Sequence, residues 1–91
     1  MEEQRREVTI VNKRGLHARA SAKFVATVTA MENCQVTVSK DGNSASGGSI
    51  LGLMMLGAAK GDTVELAVSG HAADTRLEEL ASLIEDGFGE D

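Results

Sequence analysis

The chain has 91 residues, a net charge of −5, 10 Gly, 2 Phe and no Pro, Trp or Tyr. That length suits a single domain, residues 1–91, too small to enclose a deep cavity. A hydrophobic fraction of 42% excludes a disordered chain, and acidity with so few aromatic rings argues against nucleic-acid binding.

The first seven residues carry charge of both signs and no apolar stretch follows, so they do not read as a signal peptide. Glu7 to Val11 is rich in strand formers, with Val8 and Ile10 on one face. Asn12-Lys13-Arg14-Gly15 reads as a turn. From Ala18 to Met31 the spacing becomes helical, with Ser21, Phe24, Val25, Val28 and Met31 in one stripe. Cys34 to Ser39 alternates, placing Cys34, Val36 and Val38 inward. Asp41-Gly42 marks a hairpin turn, and Ser44 to Gly47 is a short third strand. The apolar run Ile50 to Leu56 reads as a short helix capped by Ser49, and the run as far as Ala59 is too short to span a bilayer. Thr63 to Ser69 alternates with Val64, Leu66 and Val68 inward. Gly70-His71 turns, and Leu77, Leu80, Ala81 and Ile84 form a last helical stripe that Phe88 continues after Gly87. The order β-α-β-β-α-β-α describes an α+β fold. Its antiparallel four-stranded sheet has three helices on one face and water on the other.

Charge singles out one segment. Residues 1–40 carry seven cations against four acids, and four of those cations (Lys13, Arg14, Arg19, Lys23) fall within eleven positions; residues 41–91 carry two cations against ten acids. This is either a solvated face or a local anion site. His17 stands where a helix begins. There the unpaired N–H groups and about half a positive charge favour an anion and disfavour an imidazolium. A neutral histidine can act as a covalent nucleophile. A phosphoryl group on it would meet the first-turn N–H groups, beginning at Ala18. Arg19 would offer a planar fork to its oxygens and Arg14 a second cation at the rim. The plainer alternative is a histidine that only caps the helix or decorates the surface.

Gly15-Leu16-His17-Ala18-Arg19, with Phe24 further along the helix, resembles the active-site signature of the HPr family of phosphotransferase-system phosphocarriers. Ser49 to Gly61 is similar to that family's second signature, and the element order also fits. Within the family, Thr9 to Lys13 and the ending Gly87 to Asp91 look most like the NPr type of the nitrogen branch. The resemblance implies an open-faced β-sandwich and a phosphoryl group accepted on Nδ1 of His17 from Enzyme I or its nitrogen-branch form. Arg19 would assist, and the group would pass to an EIIA-type protein in the cytoplasm, with no cofactor and no metal. Ala20 departs from the family's usual proline. Because a first-turn N–H lacks an intrahelical partner, this change is expected to preserve function.

A carrier whose partners complete its active site needs a docking patch. Leu16, Ile50, Leu51, Met54 and Met55 are the candidates, whereas Leu53 and Leu56 suit the core. Six large apolar groups on two turns exceed what one face can bury, although core is the common fate of such residues. Ser49 is either only a cap or, as in some family members, the target of a dedicated kinase whose phosphate would disturb docking. A docking module of the same fold, controlled at Ser49 and without turnover of His17, is the alternative function. The single cysteine, Cys34, reads as a small core residue in a reducing compartment. With His17 and His71 so far apart, it makes a poor metal set. His71 with Asp74 reads as a solvated turn, and the loop around Lys60 lacks Walker spacing. A monomer is expected.

Overall fold

The structure is a computed structural model and describes residues 3–90. Met1 and Glu2 of the charged N-terminal run, and Asp91 of the C-terminal motif, lie outside them. Strands β1 (Glu3–Thr9), β2 (Cys34–Lys40), β3 (Asn43–Ser46) and β4 (Thr63–Gly70) form one antiparallel sheet in the order β1-β4-β2-β3. Helices α1 (Ala18–Thr29), α2 (Ile50–Met55) and α3 (Ala73–Glu85) cover one face.

The alternation read from the sequence sets the register. Val8 lies opposite Val64, Val38 opposite Leu66 and Val36 opposite Val68, so all of these point to the same side. They join Phe24, Leu53, Leu77, Leu80, Ile84 and Phe88 in one continuous core. The other side carries Arg5, Glu7, Gln35, Thr37, Ser44 and Ser46, and Arg5 is paired there with Glu3 and Glu65. The hairpin between β2 and β3 turns on Asp41 (φ 51°) and Gly42 (φ 84°), both left-handed, which matches the twist of the flanking strands.

Three elements differ from expectation by two residues or more at an end. The first strand runs over Glu3–Thr9, not Glu7 to Val11. It is an edge strand with one open side, so charged residues are tolerated along it, and Arg6 reaches Glu85 of α3 at 3.2 Å. Ile10 leaves the strand ladder to exchange hydrogen bonds with the loop before β4. Its N–H donates to the Asp62 carbonyl at 2.8 Å, and its carbonyl accepts from Gly61 at 2.8 Å. Helix α1 ends at Thr29 because the Met31 N–H bonds back to the Val28 carbonyl at 3.0 Å in a tightened last turn, while Met31 itself stays in the core. Phe88 is buried but not on the last helix. Helix α3 stops at Glu85, and Gly87, Phe88 and Gly89 follow with φ of 65°, 59° and 73°.

Candidate functional site

The site forms where the loop 10–17 meets the start of α1 and the end of the chain. Gly15 (φ 63°) sits against the backbone of Ala58, and the Leu16 N–H donates to the Ala58 carbonyl at 3.0 Å. Asn12 is 2% exposed, and its Nδ2 donates to the Gly15 carbonyl at 2.8 Å, closing the turn that the sequence marks. A buried Ser21 hydroxyl donates to the Leu16 carbonyl at 3.2 Å. Together these bonds fix the residue that follows, His17, at the N-cap position of α1.

Both ring nitrogens of His17 are engaged, and their partners define the tautomer. Nδ1 accepts from the Arg19 backbone N–H at 3.2 Å, so it carries the lone pair. Nε2 lies 2.6 Å from Oε2 of Glu90, whose ionised carboxylate can only accept, so Nε2 carries the proton. The ring is mostly buried, with 11% of its side chain exposed. Capping by the imidazole is therefore real, and it points the free electron pair at the positive end of the helix.

Glu90 arrives by an unusual backbone route. The three successive left-handed residues Gly87, Phe88 and Gly89 reverse the chain after α3, with the Glu90 N–H donating to the Gly87 carbonyl at 3.0 Å. A left-handed bulky residue costs about 1–2 kcal/mol, and burying the Phe88 ring to 1% exposure contributes roughly 2–3 kcal/mol, enough to hold it. Lys23 of α1 donates to the Phe88 carbonyl at 2.7 Å, and Asn12 Nδ2 donates to Oε1 of Glu90 at 3.1 Å. The hydrogen bond from His17 comes first in holding the Glu90 carboxyl below its ordinary pKa. Asn12 and the nearby charge of Lys23 add to it, against an opposing effect of burial.

Arg14, Ala18 and Arg19 are exposed, and among the described residues neither guanidinium has an ion-pair partner. Both arginines remain available at the end of the helix that an anion would approach. Leu16 does not belong to an outward patch. It is 6% exposed and packs in the core, because the turn at Gly15 directs the following residue inward. The remaining docking candidates do face outward: Ile50, Leu51, Met54 and Met55 are all exposed, whereas Leu53 is buried and Leu56 packs against the core. Ser49 caps α2, its Oγ accepting from the Gly52 N–H at 2.9 Å. Cys34 is partly buried, its thiol 2.8 Å from the His71 carbonyl, and His71 is exposed. No helix among the described residues is long and apolar enough to cross a membrane.

Asn12, Lys23 and Glu90 are site residues that the sequence reading did not single out. Asn12 reads as a turn residue, Lys23 as one of several cations and Glu90 only as part of the ending that looks like the NPr type. Only the Gly-Phe-Gly run marks a backbone reversal, and nothing local connects position 90 to position 17.

A histidine at a helix N-terminus with its Nδ1 lone pair facing that end, two exposed arginines without an ion-pair partner among the described residues and an apolar helix at the surface suit phosphoryl transfer. The family model for the "PTS HPr component phosphorylation site" matches residues 4–86. Phosphocarrier protein HPr of Neisseria meningitidis is 43% identical over 86 residues, covering 94% of this chain and 96% of that protein. Phosphocarrier protein NPr of Shewanella violacea is 39% identical over 85 residues, covering 93% of this chain and 92% of that protein. The crystal structure of HPr-C-His from Thermoanaerobacter tengcongensis superposes with a TM-score of 0.88 at 38% identity, covering 100% of this chain and 99% of that one. With sequence, fold and helix-end geometry in agreement, the chain belongs to the HPr family and is a phosphocarrier of the phosphotransferase system.

Proposed function

We propose that His17 is the residue that carries the phosphoryl group, at Nδ1. It accepts the group from an Enzyme I-type donor and passes it to an EIIA-type protein in the cytoplasm. The observation that carries this reading is the pair of contacts to the ring: the Arg19 N–H on Nδ1 and the Glu90 carboxylate on Nε2 assign the lone pair to the nitrogen facing the helix N-terminus and the proton to the other. On phosphorylation, the Arg19 N–H that now bonds Nδ1 is placed to bond a phosphate oxygen instead. The first-turn N–H of Ala18 and the side chains of Arg14 and Arg19 neutralise the new charge. Transfer then depends on positioning and electrostatics that the two partners complete, which suits a small open site. A defined tautomer at His17 supports turnover over a role limited to docking.

Ile50, Leu51, Met54 and Met55 form the docking face in this reading. Flexible methionines suit a surface that must fit two partners in turn. Ser49 is the regulatory position, a target for a serine kinase. A phosphate on it would break the bond to Gly52 and put a dianion beside that face. The carrier acts as a monomer, which sizing in solution tests.

Incubation with Enzyme I and phosphoenolpyruvate, followed by intact mass at alkaline pH, tests the central assignment. One acid-labile phosphoryl group that is absent in His17→Ala is expected. No gain with a cognate Enzyme I, or an unchanged gain in His17→Ala, overturns it. Repeating the assay with EIIA proteins of the sugar and nitrogen branches as acceptors identifies the branch served. Ser49→Asp is expected to slow phosphorylation by Enzyme I, and an unchanged rate removes the regulatory role.

A further inference from the structure

The carboxylate bonded to His17 sits on the ring nitrogen that the proposed transfer does not use. We propose that Glu90 is a positioning residue for phosphoryl transfer. It keeps one proton on Nε2 through both halves of the cycle, so that the phosphoryl group enters and leaves at Nδ1 without proton exchange. This rests on the reading that Nδ1 of His17 is the acceptor.

The geometry supplies three independent reasons. The Nε2 to Oε2 separation of 2.6 Å is that of a charge-assisted hydrogen bond. The second carboxylate oxygen is held by Asn12 Nδ2 at 3.1 Å, and that amide is itself anchored on the Gly15 carbonyl, so the carboxylate is aimed rather than merely near. The backbone that delivers it is pinned by the buried Phe88 ring and by Lys23 on the Phe88 carbonyl. A buried amide, a left-handed turn and a lysine thus converge on one orientation of one acid. Among the described residues its side-chain hydrogen-bond partners are His17 and Asn12.

The chemistry follows from where the proton sits. In acceptance, the Nδ1 lone pair forms the N–P bond while the bond from phosphorus to the donor breaks, and that electron pair returns to the donor atom. The ring of His17 becomes an N-phosphorylated imidazolium with its proton still on Nε2, and the new positive charge faces the Glu90 carboxylate. In donation, the acceptor's nucleophile forms its bond to phosphorus, and the N–P pair returns to Nδ1. The ring leaves as neutral imidazole with the Nε2 proton in place. Were that proton lost to water between the steps, the departing ring would be an imidazolide anion, a far poorer leaving group. An acid that orients and stabilises an imidazolium without taking its proton is the role that the aspartate plays in a Ser-His-Asp triad. Among the described residues, Lys23 of α1 lies near Glu90, and Arg14 and Arg19 flank His17 in the chain. They favour loss of the ring proton, and Glu90 opposes them.

The test is a pH titration of the phosphorylated protein, read by ¹⁵N NMR of labelled histidine. It is run on the wild type and Glu90→Gln, together with steady-state phosphorylation by Enzyme I. The phosphorylated wild type is expected to hold its Nε2 proton to a pH about one unit higher than Glu90→Gln does. In Glu90→Gln the turnover number is expected to fall about tenfold at neutral pH, with the KM for this protein unchanged. Donation by phosphorylated Glu90→Gln is expected to recover on mild acidification, which a merely structural contact would not produce. Titration midpoints within about 0.3 units of each other, or a change confined to KM, overturn the proposal while leaving His17 as the carrier. A wild-type protein that gains no phosphoryl group on His17 overturns the underlying assignment and this proposal with it.

Discussion

Gly15→Ala tests whether the signature loop owes its shape to contact with the loop before β4. Gly15 has φ 63°, and a Cβ built there falls 2.3 Å from the Ala58 carbonyl oxygen and 2.9 Å from the Ala59 Cα. Gly57 provides a matched control, with φ 67° and nothing within 4 Å of its Cβ position. Both substitutions incur the left-handed cost of about 1–2 kcal/mol. Gly15→Ala must also move backbone, because neither contact is the end of a flexible side chain, and overpacking of that kind adds about 1–3 kcal/mol. Equilibrium urea unfolding should therefore show Gly57→Ala destabilised by about 1–2 kcal/mol and Gly15→Ala by about 2–5 kcal/mol. Movement at Gly15 also weakens the Asn12 and Leu16 bonds that seat His17, so the phosphorylation rate should fall in Gly15→Ala well beyond its loss of stability. Equal destabilisation of the two variants would refute the reasoning, because only the clash separates them.

Three further outcomes are expected. The Ala59 N–H holds the Asp62 carboxyl below its ordinary pKa, with Lys40 contributing, so this group stabilises the fold above the unfolded pKa and loses that contribution as pH falls through the folded one. Asp62→Asn should thus be less stable than wild type at neutral pH, with the gap closing on acidification below the ordinary carboxylate range; a gap that widens in acid contradicts the sign. Met55, 77% exposed, should tolerate Met55→Glu with stability unchanged within about 0.5 kcal/mol, while the KM for Enzyme I rises several-fold; an unchanged KM removes this residue from the docking face. Ala20 lies at the third helical position, ahead of the Ser21 N–H that makes the bond back to the His17 carbonyl. Ala20→Pro should leave phosphotransfer within about twofold of wild type, since the missing N–H is not part of the helix ladder; a large loss shows that this N–H serves the site.

Local chemistry made much of the fold legible. Period-two alternation placed Val36, Val38, Val64, Leu66 and Val68 inward, Asp41-Gly42 fixed a hairpin, and Ser49 announced a helix that does start at Ile50. Crowding of apolar residues on that helix correctly required some of them to be outside. What escaped the reading depends on distant parts of the chain. The charged start of β1 is a strand because β4 pairs with it. Leu16 turns inward because Gly15 rests on Ala58. The Glu90 carboxylate meets a ring 73 positions earlier only because two glycines and a left-handed phenylalanine turn the chain back. The sequence marks His17 at the start of a helix, and long-range packing brings the Glu90 carboxylate to its ring.

The central claim is that Nδ1 of His17 bears the phosphoryl group while Nε2 keeps its proton. Labelling histidine with ¹⁵N and phosphorylating the protein with Enzyme I and phosphoenolpyruvate measures this directly through nitrogen–phosphorus coupling. Coupling at Nδ1 of His17, with Nε2 still protonated, is the predicted result. Coupling at Nε2, or at a ring of His71, would contradict the account.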